Sequence, residues 1–287
     1  MDPPQPSVGL FREDSWLRRV SAEPVLLFGG GRALLLEVAH PLVAAGVAEH
    51  SDFERDPFGR LQRTLNAMSS IVFRDRAAAL AAVRSVAVAH ARVRGTLARD
   101  AGRFRRGTAY SASDPELVRW VWATLLDTAL VVYERFVSPL DATARAAYYA
   151  DQCCLARLLG VPEALVPASH AEFRGYFESM LAADASTLSE QGTAVARALL
   201  QPERSYPGRR LVGDLTAALL PPSLRAAYGL AFDEPQARRV RDLVASVRAL
   251  RATSDGSPPG RREVPAESEL AARGASAGPV DGQNEPR

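Results

Sequence analysis

The chain has 287 residues, 47% of them hydrophobic, which is length and apolar content for one large domain with a sizeable core. A formal net charge of +2 is too small to argue for nucleic acid as a partner, and every one of the basic residues is arginine. The only two cysteines are neighbours, Cys153 and Cys154, so no disulfide framework is expected and the chain reads as one of a reducing, cytoplasmic compartment.

Residues 1–10 are proline-rich and are expected to be a flexible N-terminus; they lack the basic run and apolar stretch of a signal peptide. The most apolar segment, from Pro24 to Val47, is interrupted by Gly29–Gly31, Arg32, Glu37, His40 and Pro41, which speaks against a membrane span. The triple glycine lacks the Gly-Lys-Ser/Thr of a P-loop and a preceding strand, so close packing is the favoured reading. Glu37-Val-Ala-His40 is half of a di-iron carboxylate site, but no second Glu-x-x-His occurs. His50 falls in a turn, where it can order the turn or reach a pocket.

Asp56-Pro57 signals a helix start, an acidic cap followed by a first-turn proline. On that helix Arg60, Arg63 and Thr64 project to one side at i, i+3, i+4, and their line continues into Ala67 and Ile71, so the arginines are expected to be half-buried. They can pair with Asp52, Glu54 or Asp56, or clamp an anion such as a haem propionate. Asp75 opens the next helix. There Val83, Val86, His90, Val93 and Leu97 share a stripe that places His90 on the apolar face. His90 is then either a core histidine bonded to a carbonyl or an axial ligand to haem iron, which needs a neutral imidazole in an apolar pocket.

Asp114-Pro115 repeats the cap-and-proline signal before a long apolar helix with Trp120, Trp122 and Asp127; Asp127 is expected to pair with an arginine, Arg60 or Arg63. Gly160 and Pro162 end the helix of the cysteines, Ser169 and Glu172 form a capping box, and helices are expected near 190–200, 209–219 and 234–252. The alternation that marks strands is nearly absent. The expected fold is all-α: a single multi-helix domain over residues 11–252, of about eight to ten helices of ordinary length, followed by a disordered tail over 253–287.

These motifs, in this order, resemble the mpaB/rubber-oxygenase catalytic-domain family. The resemblance lies in Gly-Gly-Gly-Arg32 through His40-Pro, in Gly46-Val-Ala-Glu-His50-Ser, and in Asp56-Pro-Phe-Gly-Arg60-Leu-Gln-Arg63-Thr64. It continues in His90-Ala-Arg-Val-Arg-Gly95, Tyr110-Ser-Ala112 and Trp120-Val-Trp-Ala-Thr-Leu-Leu-Asp127, and covers about residues 11–250. It implies an all-helical fold, globin-like in the core of the latex-clearing members. It also implies haem b with a proximal histidine that maps onto His90, and pocket residues that map onto Arg60 and Thr64. Arg63 stands where the latex-clearing members carry a distal lysine, and arginine is bulkier and keeps its proton. The glutamate those members use as a base has no fixed counterpart; Glu49 is adjacent to that region.

The resemblance implies an oxygenase that acts with dioxygen on a hydrophobic substrate by oxidative C=C cleavage. An isoprenoid smaller than latex suits a chain without an export signal. Two alternatives stay open: a non-catalytic haem carrier, sensor or electron-transfer protein, with His50 or His40 as second axial ligand, and a metal-free helical interaction protein in which His90 is only core.

Overall fold

The computed structural model describes residues 9–51, 57–184, 188–200 and 208–254. The expectations of disorder in residues 1–8 and 255–287, and the Asp56 cap, lie outside them. Gly9 is not loose: it forms an isolated bridge with Asp75. A compact unit ends at Arg248, and the core and site described below belong to it.

The described residues form an all-α fold of twelve helices. These are α1 (Trp16–Ser21), α2 (Gly30–Glu37), α3 (Pro41–His50), α4 (Pro57–Phe73), α5 (Arg76–Ala91), α6 (Pro115–Phe136), α7 (Ala142–Leu158), α8 (His170–Asp184), α9 (Glu190–Leu200), α10 (Arg209–Leu219), α11 (Pro222–Ala227) and α12 (Glu234–Ser254). A 3-10 turn, Pro24–Gly29, precedes α2. The helices beyond the expected number include the six-residue α1 and α11, too short to show a period in the sequence. The strand-free expectation needs a small correction. Strands β1 (Arg94–Thr96) and β2 (Ala109–Ser111) pair antiparallel, with Gly95 opposite Tyr110. Three residues per strand leave no alternation to read.

Helix α6 is the axis of the core. Asp114 accepts from the Glu116 amide (2.9 Å), and Pro115 occupies the first turn. At 22 residues it is about 33 Å long. It is apolar nearly all round, as a helix covered on every side must be. Trp120 stacks on Phe177 of α8, and its indole N–H donates to Glu37 O (3.3 Å). Trp122 meets Phe173, and its N–H reaches Gln152 O of α7 (3.1 Å).

A charged network inside this core is built from the triple-glycine segment. Arg32 is 2% exposed and Asp127 3%. The Arg32 guanidinium donates to Asp127 Oδ2 (2.5 Å), Thr128 Oγ1 (2.5 Å) and Leu219 O (2.8 Å). Arg174 of α8 also donates to Asp127. The expected partners Arg60 and Arg63 are therefore replaced by Arg32 and Arg174, because α4 packs on α5 and α1 rather than on the middle of α6. The glycines make room for this contact. A Cβ on Gly29 would lie 2.6 Å from Thr128 Cγ2, and one on Gly31 2.0 Å from Thr216 Oγ1.

No single helix among the described residues is long and apolar enough to cross a membrane. Residues Pro24–Glu37 and Pro41–His50 reach that length only as a pair bent by 112°. Cys153 and Cys154 are free thiols.

Removing the acidic centre of the buried network leaves Arg32 charged and uncompensated. Asp127→Ala is expected to lower the unfolding free energy by about 3–5 kcal/mol. Urea denaturation of the two proteins measures it; a loss below about 1 kcal/mol would show the pair to be dispensable.

Candidate functional site

Helix α3 organises the candidate site. His40 precedes Pro41 at its start, and Glu49 and His50 lie in its last turn. Pro41 and His50 are nine helical steps apart, about 13.5 Å along the axis, so His40 and His50 occupy opposite ends.

His40 is 3% exposed and rests against the ring of Phe104, with centroids 5.3 Å apart. Its Nδ1 has no hydrogen-bond partner among the described residues. Burial, helped by the nearby charge of Arg103 and opposed by Asp114, lowers its pKa to about 4. The ring is therefore neutral at neutral pH.

At the other end of α3, Tyr110 of β2 ties the last turn down. Its hydroxyl donates to Glu49 Oε2 (2.5 Å) and lies 3.2 Å from His50 Nε2. A phenol has one proton. With that proton committed to Glu49, Tyr110 Oη is the acceptor for His50, which fixes the imidazole as the Nε2–H tautomer. Burial and the neighbouring carboxylate both raise the Tyr110 pKa, so the phenol stays protonated. The hairpin is shaped around this hydroxyl: a Cβ on Gly95 would sit 2.5 Å from it. Gly46 of α3 faces Val93 in the same way; a Cβ there would lie 3.3 Å from Val93 Cγ1.

Val93 and Gly95 directly follow α5, so the same contacts bring the end of α5 to this end of α3. Asp75 caps α5, accepting from the Ala78 amide (2.9 Å). His90 lies in the last turn, half-buried, on the side of α5 that also carries buried Ala79 and half-buried Val83 and Val86. Burial lowers its pKa. No hydrogen bond to its ring is made among the described residues. The backbone carbonyl of His90 accepts from Val93 N (3.0 Å) and leads the chain into the hairpin.

Arg60, Arg63 and Thr64 all lie on α4. Arg63 and Thr64 are exposed rather than half-buried. Burial on α4 changes along its length as well as around it: Gln62 to Thr64 are open to solvent, and Ile71 and Val72 are fully covered. The side chain of Arg60 lies outside the described residues. The fourth histidine, His170, starts α8 among Tyr149 and Phe173, away from α3. Among the described residues no group of three or more His, Cys, Asp or Glu is arranged to hold a metal ion.

Sequence reasoning missed the role of Tyr110. The residue stands out there only as part of a motif, because the hydroxyl's partners, Glu49 and His50, are some 60 positions away. The glycines at 46 and 95 are the signal that something bulky is closely approached.

The fold and site define a helical domain in which a histidine with no ring hydrogen bond among the described residues ends one helix, and the hairpin that follows carries a carboxylate–phenol–imidazole cluster. The chain belongs to the family described as ER-bound oxygenase mpaB/B'/Rubber oxygenase, catalytic domain, which matches residues 17–252. No curated protein and no solved structure matches the chain.

The depressed His40 pKa predicts a pH dependence. The unfolded chain takes up a proton near pH 6.5 that the folded ring resists until about pH 4. Stability is therefore fully present above about pH 6.5 and is lost as pH falls toward 4, by up to about 3 kcal/mol. Urea denaturation of wild type and His40→Gln across this range checks it: the difference between the two should narrow or invert on acidification. A difference independent of pH would contradict a neutral buried His40.

Proposed function

We propose that the protein is a haem b-dependent oxygenase that acts with dioxygen on a hydrophobic, isoprenoid-type substrate by oxidative cleavage of a C=C bond, with His90 as the axial ligand. Membership of the oxygenase family supports the reaction class. The observation that carries the haem reading is His90 itself. Its ring is held neutral by burial, has no protein hydrogen-bond partner among the described residues, and projects beside Val83 and Val86. A neutral imidazole with apolar neighbours is the donor that a haem iron requires.

Haem b, when bound, supplies an iron that activates dioxygen, and the net reaction breaks the C=C bond and leaves one oxygen atom on each carbon as a carbonyl, with no external reductant. The protein's own part is to bind, orient and hold protons. Tyr110 fixes the Glu49 carboxylate and the His50 tautomer; the His50 Nε2–H is spent on the phenol oxygen, which leaves Nδ1 and the carboxylate as proton acceptors at set positions. Arg60 and Arg63 provide charge for an anionic group such as a propionate, and Thr64 a hydroxyl next to them.

A carrier or electron-transfer protein would use a second axial histidine. His40 sits at the far end of α3 from the end that the hairpin joins to α5, and His50 Nε2 is turned to Tyr110, so neither is disposed for that role as folded.

Expression with haem precursor tests the reading. The wild type is expected to purify coloured, with a Soret band, and the reduced protein to bind carbon monoxide. In His90→Ala the haem retained should fall at least about tenfold, the lower end of what even outer-shell changes do to metal affinity. A wild type that stays colourless on haem titration would overturn the proposal, and a coloured protein that refuses carbon monoxide would point to the carrier instead.

A further inference from the structure

The outer face of α5 has no role in the site, and its chemistry is distinctive. Residues 76–99 contain five arginines and no Asp or Glu, although the whole chain is only +2. The rest of the chain is therefore net negative, and the positive charge is concentrated on and just after α5. On the helix, Ala77, Ala81, Arg84, Val88 and Arg92 follow one another at i, i+4, i+7, i+11 and i+15, a single stripe opposite Ala79, Val86 and His90. All five are exposed, and Val88 is 56% exposed, the second highest among the large apolar residues left open. Arg76 and Arg94 flank the stripe and are exposed as well. None of Arg76, Arg84, Arg92 and Arg94 has an ion-pair partner among the described residues, whereas Arg99, just beyond, is bound by Glu190.

A solvated helix face in a protein of this size ordinarily carries both signs of charge. A face with arginine alone, separated by small apolar residues and one bare valine, is complementary to a surface that is anionic and apolar just beneath. An anionic lipid bilayer is such a surface. A nucleic acid would be met by aromatic stacking groups or by polar side chains for base edges, and the stripe has neither.

We propose that the outer face of α5 is a docking surface for anionic lipid membranes. Adsorption is electrostatic and reversible. The arginines meet lipid headgroups, and Val88 with the alanines settles at the headgroup boundary without insertion of a long apolar segment. The opposite face of the same helix carries His90, so docking sets the candidate site beside the phase in which a hydrophobic molecule dissolves. The inference rests on the surface alone and is independent of the oxygenase reading.

Co-sedimentation of the full chain with vesicles tests it, with no haem needed. The chain is expected to bind vesicles of phosphatidylcholine mixed with phosphatidylglycerol, to leave vesicles of phosphatidylcholine alone in suspension, and to be released by salt. Charge reversal in Arg84→Glu/Arg92→Glu should weaken binding at least about tenfold, and Ala81→Arg, which adds a charge to the same stripe, should strengthen it about fivefold. A gain that is absent from the same sedimentation without vesicles cannot come from aggregation. The proposal is overturned if the wild type binds neither vesicle at low salt, if the reversal variant binds as well as wild type, or if Ala81→Arg brings no gain.

Discussion

The contact between Arg32 and Asp127 fixes the centre of this fold. One guanidinium reaches the carboxylate and hydroxyl of two successive α6 residues and the last carbonyl of α10, and Arg174 brings α8 to the same carboxylate. Four helices are thus registered on one buried pair of charges. Taking two ions out of water costs several kcal/mol each, and good geometry with additional hydrogen bonds is what offsets that cost. The network meets this condition on the arginine side with three acceptors and on the aspartate side with two donors. Such a pair adds little net stability over a well-packed apolar core. What it does add is a unique arrangement, because any sliding of α2 against α6 would strand a charge.

The glycines before Arg32 follow from the same constraint. Arg32 has to enter the interface at its root, so the backbone of α2 must lie against Thr128 and Thr216, where Gly29 and Gly31 leave no side chain to obstruct it. With α2 pinned, the sharp turn through Val38–His40 sets the direction of α3, and α3 carries Glu49 and His50 to the β hairpin. The candidate site is therefore placed by a chain of contacts that begins some distance away. Its local geometry depends on a second close approach, Gly95 under the Tyr110 hydroxyl. Both approaches follow one logic: a glycine stands where another side chain must come near a backbone.

The all-helical class, the caps at Asp75 and Asp114, and the boundaries near 190–200 and 209–219 were legible in the sequence, because cap residues and helix-forming composition act locally. Asp127 was legible as a buried acid, but its partner was not. Arg32 is 95 positions away, and which arginine arrives depends on helix packing. The half-buried placement expected of Arg63 failed for a related reason. The periodicity of α4 identifies the apolar side, but it does not say where along the helix the neighbouring elements stop, and the neighbours leave residues 62–64 in solvent. The Tyr110 cluster was invisible because its three groups meet only after the hairpin closes against α3.

Helix α5 shows how an edge element can keep two faces available. Only Ala79 is fully buried among its sixteen residues, and α4 is its main neighbour. Tertiary burial therefore contributes little to holding it helical, and for a helix this short that is normally decisive. The sequence compensates locally. Eight of the sixteen residues are alanine, the strongest helix former, and Asp75 satisfies a free amide at the start. A helix stabilised by propensity and capping does not need to commit its sides to packing. That leaves the inner side able to present a neutral imidazole and the outer side able to carry arginines with no ion-pair partner among the described residues. The valines at 83, 86 and 88 work against helix propensity, since β-branched residues lose side-chain freedom in a helix. Their place beside His90 and in the middle of the basic stripe is consistent with surfaces kept for contact rather than for the helix itself.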